Sequence, residues 1–166
     1  MSRISQSSDA LILLDSRDDF CEYIDTLLIE GRRNVKILSR ELEPSLYNRE
    51  SCVRALSALA RAHPLAQVEI LVKDSQNLVE QGHQIVRLAQ RLPSKISIRR
   101  LSIEPEDDAM AFMIVDRDGL LFKNDENSMQ GFANLQAGAE IKNLMDVWER
   151  LWQNSEADPQ LRPLSL

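Results

Sequence analysis

Cysteine is scarce in these 166 residues. Cys21 and Cys52 are the only two, and their spacing is not that of a zinc site. Both fall on apolar faces of predicted helices, as buried free thiols do. Histidine is equally rare, His63 and His83 alone. Positive charge is in deficit: 20 Lys and Arg against 26 Asp and Glu leave a net charge of −6. That disfavours a dedicated nucleic-acid binder, whose affinity comes largely from neutralising phosphates, but leaves a local basic patch open. No apolar run approaches the ~18 residues of a transmembrane helix. The opening "MSRISQSSDA" has no signal-peptide core, so a cytoplasmic location is expected. Neither G-x-x-x-x-G-K-S/T nor G-x-G-x-x-G occurs, which removes the phosphate loops. No motif calls for a cofactor or a metal.

What is present is a regular alternation of elements. "DALILLD" (9–15) reads as a short strand, and Asp15 or Ser16 caps a helix from Arg17 with Phe20, Ile24, Leu27 and Leu28 on one face. "NVKILSREL" reads as a strand and "EPSLYNRES" as a loop. A helix over 50–62 and the strand "QVEILVKD" (67–74) follow. After the connector "SQNLVEQGHQ" come a helix over 83–92, stopped at Pro93, and the strand "KISIRRLSI" (95–103). "AMAFMIVD" and "LLFK" form a hairpin around an Asp-Gly turn. Residues 124–138 read as a long and therefore functional loop. A last helix spans 139–152, with Trp148 and Trp152 on its apolar stripe. The order β-α-β-α-β-α-β-β-β-α predicts one α/β domain over residues 1–152, with a mixed, mostly parallel sheet and helices on both faces. Residues 153–166 are expected to be a tail draped over the surface.

This order is similar to a single phospholipase D-like domain. Enzymes of that superfamily carry H-x-K-x-x-x-x-D on a late strand leading into a hairpin, then Gly-Ser-x-Asn and a C-terminal helix. "MIVDRDG" resembles the segment around their aspartate. Anchoring the motif on Asp116 places Ala109 where the histidine belongs and Ala111 where the lysine belongs. "GFANL" (131–135) resembles the Gly-Ser-x-Asn element, with Phe132 in place of serine. In those enzymes the histidine attacks phosphorus and the lysine stabilises the phosphoryl oxygens. Alanine can do neither, so the resemblance implies a fold retained without its nucleophile and no catalytic residue. It also implies a homodimer, because single domains of that superfamily pair about a two-fold axis. More narrowly, "ILSRELEPSLYN", "GHQIVRLAQRLPSKISIRRL" and "DPQLRPLSL" resemble a family of uncharacterised bacterial domains, sometimes attached to acetyltransferase domains.

The candidate ligand site comprises Arg40, Glu41, Tyr47, His83 and Asp116. Arg40 and Glu41 follow a central strand, where open α/β sheets bind ligands. Arg40 would pair with an anion, or the two form an internal network that fixes the loop. His83 sits at a helix start and either helps hold an anion or packs there as a cap. Asp116 enters through the motif. His63, before Pro64, is expected to face solvent. The one dense basic stretch holds Arg87, Arg91, Lys95, Arg99 and Arg100. Arg87 and Arg91 share a helix face, whereas Arg99 and Arg100 point to opposite faces of a strand. Glu104, Glu106, Asp107 and Asp108 read as a solvated turn. Three functions stay open: a non-catalytic module recognising a protein or anionic ligand, an RNA-associated protein using Arg87, Arg91, Arg99 and Arg100, and a phosphodiesterase using His83 with Glu41.

Overall fold

The computed structural model describes residues 11–105 and 109–161. Eight strands form one sheet: β1 (Leu11–Leu14), β2 (Asn34–Ser39), β3 (Gln67–Val72), β4 (Ile96–Leu101), β5 (Ala111–Val115), β6 (Gly119–Lys123), β7 (Gly131–Asn134) and β8 (Ser155–Ala157). The helices are α1 (Arg17–Glu30), α2 (Pro44–Tyr47), α3 (Glu50–Arg61), α4 (Gln76–Glu80), α5 (Gln84–Arg91) and α6 (Gly138–Gln153). Strand order is β1-β7-β6-β5-β2-β3-β4-β8.

The sheet is mixed but not mostly parallel. Only β2–β3 and β3–β4 pair in parallel. The five other pairings are antiparallel. The excess comes from two strands that the residue pattern hides. β7 lies inside the expected loop, and β8 lies in the expected tail, pairing with β4 instead of draping over the surface. Both are short, and neither "GFAN" nor "SEA" carries the β-branched residues that mark strands. Each forms because a partner edge already exists. A turn of helix, α2, also replaces part of the loop after β2, with Pro44 at its start, where its missing N–H costs nothing.

Local chemistry sets the better-marked elements. Ser16 caps α1, its Oγ accepting the Asp19 N–H at 3.1 Å, and Asp18 and Asp19 suit the positive end of the helix. Phe20, Ile24, Leu27 and Leu28 then fall on one buried stripe. With the buried faces of α3 and α5 they cover Val35, Ile37, Val68, Ile70, Val72, Met113, Val115 and Leu121. On the other side of the sheet, Ile141, Trp148 and Leu151 of α6 cover Leu38, Leu71, Leu101, Phe112, Ile114 and Leu120. Cys52 is buried, Cys21 half-buried, and both are free thiols. Trp148 is core, while half-buried Trp152 stacks on it at 5.7 Å. Among the described residues no helix is long and apolar enough to cross a membrane.

Candidate functional site

The end of β2 and the start of β5 run side by side, because Leu38 pairs with Phe112 in antiparallel register. A pocket of about 80 Å³ opens there. Ser39, Arg40, Glu41, Glu43 and Tyr47 line it from β2 and the following turn, Ala111 and Phe112 from β5, and Lys123, Glu126 and Asn127 from the end of the hairpin. Ala111 pairs directly with Lys123. Opposite residues of a ladder share a face, so a lysine stands beside the position where the motif lysine was expected, on the neighbouring strand.

Charge is arranged around Glu126. Its carboxylate accepts from Lys73 Nζ at 2.8 Å and from the Arg40 backbone N–H at 2.8 Å, and Arg40 Nε approaches to 3.5 Å. Lys73 and Glu126 are both deeply buried, 6% and 8% exposed at the side chain, which a matched pair tolerates and a lone charge would not. Lys73 Nζ also donates to the Met110 carbonyl at 3.2 Å. Lys123 is 5% exposed, donates to the Glu126 carbonyl at 3.3 Å, and sits 5.1 Å from the Phe20 ring centroid. Burial raises the Tyr47 phenol well above its ordinary value, so it stays protonated.

The turn after β2 is strained. Leu42 has φ of 53°, a region that leucine seldom enters, and is fully buried. Two bonds hold it there: its N–H donates to Ser39 Oγ at 3.0 Å, and its carbonyl lies 3.0 Å from His83 Nε2. His83 Nδ1 accepts the Ile85 N–H at 3.1 Å, which caps α5 and leaves the proton on Nε2 for the Leu42 carbonyl. Burial pushes the His83 pKa down from 6.5, so the imidazole is neutral near pH 7.

The five expected ligand residues therefore fall in three places. Arg40, Glu41 and Tyr47 share the pocket. His83 lies behind it, buried and with both nitrogens engaged. Asp116 is at the far end of β5, about 16 Å from Ala111 at the rise of a strand. There its carboxylate accepts the backbone N–H groups of Arg32, Arg33 and Asn34 at 2.9, 2.9 and 3.0 Å and ties the hairpin to the α1–β2 turn. His63 is half-buried, 3.1 Å from Arg33.

The basic residues separate too. Arg87 and Arg91 are exposed on α5. Arg99 donates to Ser155 Oγ and the Ser155 carbonyl at 2.7 and 2.6 Å and lies over Trp152, while Arg100 pairs with Glu156 at 2.6 Å. Glu106, Asp107 and Asp108 lie outside the described residues, and no His, Cys, Asp and Glu cluster suited to a metal occurs among those described. Residue reading missed Lys73, Lys123, Glu126 and Asn127. The hairpin register was the one available signal for Lys123, since it fixes which residue faces Ala111.

No curated protein sequence matches the chain. Solved structures do match in fold. NucT from Helicobacter pylori aligns with a TM-score of 0.62 at 11% identity, over 89% of this chain and 97% of that one. Nuc from Salmonella typhimurium, a phospholipase D family member, aligns with a TM-score of 0.61 at 12% identity, over 80% and 86%. TrmBL2, an archaeal chromatin protein with a novel mode of DNA binding, aligns with a TM-score of 0.63 at 11% identity, over 89% of this chain. This chain spans about half, 54%, of the length of TrmBL2. At such identities the likeness establishes the fold, an α/β architecture similar to phospholipase D-family structures. A family model described as a domain of unknown function, DUF7931, matches residues 16–164, nearly the whole sequence, and the chain belongs to that family.

Proposed function

We propose that this protein is a non-catalytic phospholipase D-like binding module, homodimeric, that recognises an anionic group of a ligand or protein partner in the pocket at the end of β2. One observation carries the reading: Ala111 faces Lys123 across the hairpin, so the pocket keeps a cation and has no histidine lining it. Covalent phosphoryl transfer needs a nucleophile with a free lone pair in reach of phosphorus. Ala109 has none, and both nitrogens of His83 are committed behind the pocket. A cation without a nucleophile binds and does not cleave. The homodimer rests on the resemblance to a superfamily whose single domains pair, and on the frequency of symmetric self-contact.

A phosphodiesterase built on His83 and Glu41 would need the imidazole to leave two hydrogen bonds. An RNA-binding role would rest on Arg87 and Arg91, since Arg99 and Arg100 already hold β8. Light scattering on the purified chain, alone and with short single-stranded RNA at low and moderate salt, tests the reading. The expected result is a particle of twice the 18.9 kDa chain mass that is unchanged by RNA. An RNA complex that survives moderate salt and is lost in an R87A/R91A variant would overturn it.

A further inference from the structure

Resting on that reading, we propose that the pocket takes a small zwitterion, an oxyanion joined to an ammonium group by a short apolar body, as in an amino acid or an aminoalkyl phosphate. The anionic end meets Lys123 and the ammonium meets Glu41 and Glu43.

The charges lining the pocket divide into committed and available. Glu126 is committed, holding Lys73 and Arg40. Lys123 is available. Its ammonium carries three donors, yet among the described residues it finds one acceptor, at 3.3 Å, and one ring face. A buried ammonium left so thinly matched calls for a further acceptor. Ala111 supplies the room, because a methyl group is all that stands opposite Lys123.

Glu41 and Glu43 are the second half of the site. Glu41 accepts from Asn77 Nδ2 at 2.8 Å, and Glu43 from Ser45 Oγ at 3.4 Å. Neither carboxylate meets a cationic side chain among the described residues, although Arg40 lies beside them in sequence. The left-handed turn at Leu42 sets the two on either side of a buried residue, with both lining the pocket. Strain of that kind persists only where surrounding bonds over-determine it, and it collects at binding sites. Here His83 and Ser39 provide those bonds.

An inorganic anion would satisfy Lys123 but face two carboxylates. A simple amine would satisfy the carboxylates but face Lys123. A ligand with both charges satisfies all three, and Leu46, Phe112 and Leu121 line the space between them. The pocket volume restricts it to a small molecule.

Calorimetric titration of the full chain decides the matter, with glycine, 4-aminobutyrate and phosphoethanolamine as probes carrying both charges, and inorganic phosphate, acetate and ethylamine as probes carrying charge of one sign only. At least one zwitterion is expected to bind about tenfold or more tightly than every probe of one sign, with K123Q and E43Q each weakening it about tenfold or more. A111L, which fills the pocket without removing a charge, is expected to abolish binding, and it keeps the test open if K123Q fails to fold. Phosphate binding as tight as any zwitterion, or strengthened by E43Q, would overturn the zwitterion and leave an anion-binding module. No binding by any probe would also overturn it. Hydrolysis of a phosphodiester by the same preparation would instead overturn the non-catalytic reading beneath it.

Discussion

His83 shows how a single side chain can look catalytic in a sequence and be structural in the fold. Its place at a helix start suggested either an anion-holding group or a cap, and its bonds make it a cap that also holds the strained carbonyl of Leu42. The pH response follows from its burial. The unfolded chain takes up a proton near the ordinary value of 6.5, whereas the buried ring resists protonation until lower pH. Between the two values protons bind the unfolded state, so the stability that His83 contributes is complete above 6.5 and is lost as pH falls toward the folded value. Urea midpoints measured between about pH 7 and about pH 5 should fall more steeply for the native chain than for H83Q. Equal slopes would contradict the placement of the neutral ring. Asp116 shows a different limit. Anchoring a motif on it marks the strand, but it lies five positions after Ala111, so Ala111 opens β5 and Asp116 stands just beyond the strand's other end. Spacing alone shows this, yet only the carboxylate's three backbone N–H partners reveal that it ties a turn.

At the scale of elements, legibility followed burial. β5 is a continuous apolar run covered on both faces, β2 and β3 alternate and then run apolar, and α1 has its cap and stripe, so all four can be read from the residues. β7 and β8 cannot, because their stability belongs to the partner strand and not to their own composition. The sheet's parallel character was misjudged for the same reason. β8 also explains two of the five residues of the basic stretch: Arg99 and Arg100 bind it to β4, and Ser75 Oγ holds Asp158 just beyond it at 2.5 Å. An R99A variant forfeits two hydrogen bonds and the contact with Trp152, and should lose about 1–3 kcal/mol of unfolding free energy. The R87A/R91A variant should stay within about 0.5 kcal/mol of the native chain, as exposed substitutions do. Denaturant titration of the three proteins separates the architectural arginines from the solvated ones. If R99A proved as neutral as R87A/R91A, β8 would not be held as described.

At the scale of the whole molecule, the fold is similar to phospholipase D-family structures, and the proposed reading turns on what lines the pocket at the end of β2. Ala109, just before β5, and Ala111, at its start, stand where the resemblance would put the histidine and the lysine, and Lys123 of β6 faces Ala111. The carboxylates of the Leu42 turn have no counterpart in the motif from which the comparison began, which is why residue reading placed Arg40, Glu41 and Tyr47 together but missed Lys123 and Glu126. The non-catalytic character proposed for that pocket is tested most directly by incubating the purified chain with bis(p-nitrophenyl) phosphate, with and without added divalent metals, and following p-nitrophenolate release. The expected rate equals that of buffer and does not change in H83Q or K123Q. Release above buffer that disappears in H83Q would contradict it, and would mean that His83 leaves Leu42 to act as the nucleophile.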